Sequence, residues 1–558
     1  MATETSFNPL PIIILTAALL LDPLCYVVVA QRTDQTTSLR EPRISRVWVS
    51  DNQNGTYRNP IIHADYSDPD AIRVGDDFYM TASSFNAVPG LPILHSKDLV
   101  NWKIIGHALA RLPPFEVFAK PQHGNGVWAP AIRFHRGEFY IYYPDPDFGI
   151  YLVKAKHPSG PWSEPLLVKQ AKGWIDPCPL WDAEGNAYLV SAMAASRSGI
   201  KSILIVSRMS PDGERLLDDG VIVFDGHEKH PTVEGPKFYQ RNGYFYIFAP
   251  AGGVATGWQL VLRSKSVYGP YEERVVLAQG KTRVNGPHQG AWVETQTGES
   301  WFIHFQDKGP FGRVVHLQPM KWINDWPAIG HDPNGDGTGE PVSSCKKPNV
   351  GRNESAISTP PESDEFNTNL LGLQWQWHAN RQPNWMFPTN LGFIRLFNVP
   401  LPEGHKNFWD VPNLLLQKFP APEFTATTKV TFTPRTDDEE AGLIVMGLDY
   451  AYVSVKKKPA GLFVSQTVVK DAERGELGKE SVAMPLKDAT FYLRVKVTQD
   501  GVCNFSYNVD GTSFAPVGQS FRARQGKWIG AKLGLFAVSV GKTRENGYAD
   551  FDWFRIEP

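Results

Sequence analysis

Residues 61–85 read IIHADYSDPDAIRVGDDFYMTASSF, five aspartates on a segment that is otherwise apolar, aromatic and strand-forming. Its second half is a Gly-Asp-Asp turn followed by an aromatic strand, and it leads to ILHSKDLVNW, a second strand ending in an Asn-Trp turn. The same unit returns along the chain. RGEFYIYYPD leads to YLVKAKHPSGPWSEP, GNAYLVSAM to ILIVSRMSPDG, NGYFYIFAPAGG to LVLRSKSVYGPYEE, and GESWFIHFQ closes the series. Five such units at a period of about 55 residues predict an all-β, five-bladed β-propeller with four strands to a blade. The competing fold is a β-sandwich whose turns are alike by coincidence.

A propeller brings the start of each blade's innermost strand to its axis, so polar residues one blade apart can share a pocket. Asp68 opens the first unit, Trp128 the second, Asp176 the third, Glu234 the fourth and His288 the fifth. Three acids thus take the same relative place. Asp68-Pro69, Asp176-Pro177 and Glu234-Gly235-Pro236 set each carboxylate on a stiff turn just before a strand. Two carboxylates across a small cavity suit glycosidic hydrolysis, one protonating the leaving oxygen and one activating water on the opposite ring face. A third acid near the proton donor would keep that donor protonated by like-charge repulsion.

At 558 residues the chain exceeds one ordinary core, and residues 331–362, rich in Gly, Pro, Ser and Asn, read as a linker. Beyond them, alternating segments such as FTATTKVTFTP and TFYLRVKVTQ predict a β-sandwich over residues 363–558, after a propeller over residues 59–330. Residues 1–30 read as a secretion signal ending in Val28-Val29-Ala30, with residues 31–58 as an N-terminal lead; a membrane anchor is the minor alternative. A secreted or extracytoplasmic location follows. The net charge of -2 gives no field for nucleic acid or an anionic membrane, so neither is expected as a stable partner. Four widely separated cysteines exclude a zinc ribbon or a redox CxxC pair, and Cys178 reads as a small buried filler. Asn54, Asn353 and Asn504 head glycosylation sequons.

From Asn59 to Ile329 the chain resembles the family 43 glycoside hydrolases, with NPIIHADYSDPDAIRVGDDFYM, PGLPILHSKDLVNW, NGVWAPAI, IDPCPLW, EGPKFY and GPHQGAWVETQTGESWFIHFQDKGPFGRVVHLQPMKW in the family's order. The resemblance implies a five-bladed propeller and an inverting mechanism. Asp68 then matches the general base, Glu234 the general acid, and Asp176 the acid that tunes and positions the donor. Phe85 and Trp128 match positions that stack on or flank the sugar, and Arg313 matches an arginine that hydrogen-bonds the non-reducing-end sugar. His288 matches either a substrate-hydroxyl contact or the ligand of a hydrated axial calcium; the implied chemistry needs no cofactor beyond this structural ion.

Where the family usually has a small residue after its base motif, this chain has Asp70, which strand alternation turns away from the pocket as a solvated or hydrogen-bonded side chain. Asp65 reads as a loop or turn residue, Asp76 and Asp77 as turn residues, and Asp145 and Asp147 fall where the repeat puts turns. SDEFNTNLLGLQWQWHANRQPNWMF and the final ADFDWFRIEP resemble the concanavalin-like sandwich appended to many β-xylosidases of the family. A structural role beside the pocket is the favoured expectation for it, and Trp375, Trp377 and Trp385 would be exposed together only if it bound sugar itself. The expected activity is exo-acting, inverting release of xylose from the non-reducing ends of β-1,4-xylo-oligosaccharides. An α-L-arabinofuranosidase acting on arabinose-substituted polysaccharide, or dual activity, is the alternative, and a non-catalytic sugar-binding propeller the remote one.

Overall fold

The computed structural model describes residues 44–351, 356–541 and 544–558. Five separate four-stranded antiparallel sheets succeed one another, and in each the strands pair in chain order from the innermost outward. The innermost strands are Asp70–Val74, Ala131–His135, Trp174–Trp181, Lys237–Arg241 and His288–Glu294, for blades one to five. These blades pack through apolar faces that the aromatic strands supply. Ile175, Val190, Leu204, Phe238, Ile247 and Leu260 join blades three and four, while Phe78, Met80, Trp102, Ala291, Ile303 and Leu317 join blades one and five. Side chains filling every inter-blade face explain why the aromatic repeat, and not a period-2 pattern alone, encodes this architecture.

The ring is closed by the segment before blade one. Ile62 and Val315 exchange both backbone hydrogen bonds, at 3.3 and 3.0 Å, beyond the reach of the short outer strand Trp326–Ile329. Residues 331–362 differ from a free spacer. Ser344–Lys346 pairs antiparallel with Thr56–Arg58, Lys347 reaches Asp51 and Asp98 at 2.6 and 2.9 Å, and Glu362 accepts from Ser45 Oγ at 2.6 Å. A segment with few large apolar residues adds little core beyond Val350, but its backbone groups still need partners, and the N-terminal lead and blades four and five provide them. The N-terminal apolar run and Asn353 lie outside the described residues; among those described, no helix is long and apolar enough to cross a membrane.

The C-terminal domain is two facing sheets of nine and eight strands over one core. From Thr428 to Thr433 the strand Phe424–Thr433 alternates buried and half-buried positions, as a strand covered on one face should. Trp375, Trp377 and Trp385 are buried in this core, so they offer no exposed platform for a sugar. The sandwich also grips the propeller. Val88 and Trp377 exchange backbone hydrogen bonds, Asn86 Nδ2 donates to His378 O at 2.7 Å, and Phe311 of blade five is part of the sandwich core.

Candidate active site

Asp68, Phe85, Trp128, Asp176, Glu234, His288 and Arg313 all line one pocket, together with Ala129, Ile175, Val254, Gln289 and Trp528. It is a concave pocket that opens to solvent, lined by a few convergent polar groups among aromatic and apolar ones, as small-molecule sites are. All seven residues singled out from the sequence therefore meet in space.

The backbone that delivers them is strained in a repeated way. Asp68 has φ 55° and Asp176 φ 55°, left-handed values that few residues other than Gly adopt, although Asp tolerates them better than most. In blade three the ladder slips between Ile175 and Cys178, and in blade five between His288 and Gly290, where Gln289 has φ 38°. Each irregularity interrupts the strand at its axial end and lets a side chain face the pocket. Gly235 takes φ 57°, a left-handed conformation that glycine adopts without strain, and a Cβ there would also press on the Gln289 side chain at 2.8 Å.

The three acids sit in unlike surroundings. Asp68 is buried and ion-paired: Arg313 Nη1 lies 3.2 and 3.4 Å from its two oxygens, while Ser83 Oγ and Ser67 Oγ donate to Oδ2 at 2.5 and 2.8 Å. Arg313 is itself held by Ser67 Oγ at 2.7 Å and packs over the Phe305 ring. Glu234 is the most open, its side chain 26% exposed, with His288 Nε2 3.1 Å from Oε1. Asp176 is buried and accepts the Gly235 amide at 2.7 Å. Burial, then the Glu234 charge, pushes the Asp176 carboxyl up, with Asp68 adding to the same effect.

His288 is buried, and its Nδ1 has no partner. Among the described residues no group of three or more His, Cys, Asp or Glu could hold a metal, so the fit for calcium is an ion held mostly by water with one imidazole nitrogen from the chain.

The other aspartates of the opening stretch are elsewhere. Asp70 is fully buried, accepting from Ile132 N and Arg133 Nη1, both at 2.7 Å, so it is hydrogen-bonded and not solvated. Asp77 pairs with His95 and Lys97. Asp147 pairs with Arg197, and Asp145 is buried under the strand end. Cys178 is buried as expected but is more than a filler, since Arg133 Nη2 and the Phe238 amide donate to its sulfur at 2.8 and 3.2 Å. Asn54 and Asn504 are exposed.

Sequence reasoning missed Ser67 and Ser83; Ser67 adjoins Asp68, where a small hydroxyl beside an acid is a legible signal, whereas Ser83 lies 15 residues on and reaches the acid only through the fold. It also missed Trp528, which comes from the sandwich loop and stands edge-on to Trp128 at 6.3 Å between ring centroids. Nothing local marks that residue, because its place depends on how two domains dock. Phe85 is held in the wall through a backbone bridge to Val127, beside the 86–89 segment that the sandwich grips.

A candidate beta-xylosidase of Xylanibacter ruminicola is 41% identical over 500 residues, covering 88% of each chain. A non-reducing end alpha-L-arabinofuranosidase of Bacteroides ovatus is 29% identical over 532 residues, covering 89% of this chain and 94% of the relative. The crystal structure of a xylan beta-1,4-xylosidase from Bacillus halodurans superimposes with a TM-score of 0.79 at 25% identity, over 90% of this chain and all of that one. Residues 57–327 match the glycosyl hydrolases family 43 and residues 363–557 the beta xylosidase C-terminal Concanavalin A-like domain, and the chain accordingly belongs to family 43 of the glycosyl hydrolases.

Proposed function

We propose that the protein is an exo-acting, inverting β-xylosidase that releases xylose from the non-reducing ends of β-1,4-xylo-oligosaccharides. The carrying observation is that three carboxyls meet in one pocket under three different conditions: one ion-paired, one partly open, one buried and pushed up. Asp68 is the base, its lone pairs fixed by Arg313, Ser67 and Ser83 so that it takes a proton from water on the far face of the sugar. Glu234, nearest to solvent and backed by His288, donates its proton to the leaving oxygen. Asp176 tunes and positions that donor: its buried carboxyl stands within the field of Glu234, and the Gly235 amide ties it to the residue after Glu234. Phe85, Trp128 and Trp528 supply ring faces and edges for the sugar. A hydrated calcium would be held through His288 Nδ1, where it would add positive charge near the carboxylates.

The relatives' names support xylosides as substrate, and the Bacteroides ovatus relative favours arabinofuranosides as the second reading. The N-terminal apolar run supports an extracytoplasmic enzyme meeting plant-type polysaccharide. The test is a proton NMR time course of xylobiose digestion. Initial α-xylose supports inversion with these roles; initial β-xylose overturns them; no cleavage of xylobiose with cleavage of an arabinofuranoside selects the second reading.

A further inference from the structure

Asp65 stands three residues before Asp68, and it lines no part of the pocket. Its carboxylate is only 4% exposed and holds two backbone amides from two domains. Arg313 N–H donates to Oδ1 at 2.9 Å, and Gly530 N–H donates to Oδ2 at 3.0 Å. The first amide belongs to the residue that faces Asp68. The second lies two residues beyond Trp528, on the sandwich loop that walls the pocket.

The packing around this clamp has no slack. A Cβ on Gly530 would lie 2.7 Å from Gly312 N and 2.8 Å from Gly312 Cα, and a Cβ on Gly312 would lie 2.5 Å from Asp65 Cβ. Two glycines of different domains therefore touch backbone to backbone, with Asp65 between them. Ala531 N–H adds a bond to Pro310 O at 2.8 Å, and Phe311 anchors the same blade-five turn in the sandwich core. The Asp65 charge also acts on Lys418 and the buried Lys532, both from the sandwich, raising the pKa of ammonium groups that burial pushes down. An anion in this position satisfies two amides from two domains at once, which a turn residue has no need to do.

We propose that Asp65 is a positioning residue of the site, clamping the sandwich loop that carries Trp528 to the strand that carries Arg313. Docking of the sandwich and placement of Arg313 against Asp68 are then set by one carboxylate. The inference rests on reading this pocket as the hydrolytic site. A shift of about 1 Å in such a group can cost on the order of 10²-fold in rate.

The test uses the full chain with Asp65→Ala, Asp65→Asn, Trp528→Ala and the double variant Asp65→Ala with Trp528→Ala. For each, kcat and KM on xylobiose are measured beside hydrogen exchange of peptides covering residues 311–315 and 526–531. The expected result is a loss of about 10- to 100-fold in kcat/KM for Asp65→Ala, faster exchange in both peptides, and a double variant within about 3-fold of the worse single one. A merely structural role would leave the two substitutions multiplying independently. That outcome, or unchanged exchange with kcat/KM within about 2-fold of wild type, overturns the proposal. Should Asp65→Ala fail to fold, Asp65→Asn decides: its amide nitrogen opposes one of the two N–H groups, so one peptide should exchange faster and kcat/KM fall several-fold, and no change in either overturns the clamp. A wild type that cleaves no pentoside defeats the reading of the pocket, while the exchange data still judge the clamp.

Discussion

The Gly235 amide donates to Asp176 Oδ2 at 2.7 Å, so the buried acid is bonded to the residue that directly follows Glu234. Any movement of one carboxylate is felt by the other, and the two share both a backbone tether and a field.

Replacing Asp176 with Asn keeps an acceptor for that amide and removes a charge. The carboxyl is raised above its ordinary value of 3.8, so the folded state binds its proton more tightly than the unfolded chain does. Stability from this group is complete below about pH 4 and is lost as pH rises through the raised range. Asp176→Asn should therefore unfold at higher temperature than wild type near pH 8, match it near pH 4, and lose about 10- to 100-fold in kcat. Calorimetry at the two pH values and steady-state kinetics check both halves.

If Glu234 protonates the leaving oxygen, the need for it depends on the leaving group. Glu234→Gln should cut turnover of xylobiose by roughly 10³-fold but spare an activated aryl xyloside, whose phenolate leaves without a proton. Equal losses on both substrates would place the acid elsewhere.

Arg313 meets both Asp68 oxygens and Ser67 Oγ through one nitrogen, Nη1. Lys carries the same charge, but its ammonium falls one bond short of Nη1 and lacks the planar face that lies over Phe305, so Arg313→Lys should lower kcat/KM by at least about 10-fold with little change in thermal unfolding. Full activity in the Lys variant would reduce Arg313 to a point charge.

Asp145 shows what a buried acid does without a pocket. Its Oδ2 has no partner, and burial pushes its carboxyl up to about 7. The sign is that of Asp176: its contribution is present below about pH 4 and lost as pH rises through 7. Asp145→Asn should raise stability at pH 8 by on the order of 2 kcal/mol and leave it unchanged at pH 4, as denaturant titrations would show.

Trp377 is buried and exchanges backbone hydrogen bonds with Val88, three residues from Phe85. Trp377→Ala should cost about 3–5 kcal/mol in unfolding free energy. It should also raise KM, because the segment behind Phe85 loses its support; unchanged KM would detach the sandwich from that wall.

The sequence alone determined the ring and the acids. Five aromatic strand units at an even spacing require five blades, because each aromatic face needs the next blade to cover it. Asp68, Asp176 and Glu234 were legible because a propeller converts equal places in the repeat into neighbours on the axis, and short-range Pro and Gly mark the turns that hold them. What only the tertiary structure decided came from contacts between segments far apart in the chain. Residues 331–362 look like a spacer until Thr56–Arg58 pairs with Ser344–Lys346, and Asp65 looks like a turn residue until Gly530 arrives beside Gly312. Trp375, Trp377 and Trp385 are alike in sequence whether they face sugar or a core, and the docking of two sheets buries them. The physical reason is the same in each case: local composition states which groups need partners, and only the folded chain supplies the distant atoms that meet the need.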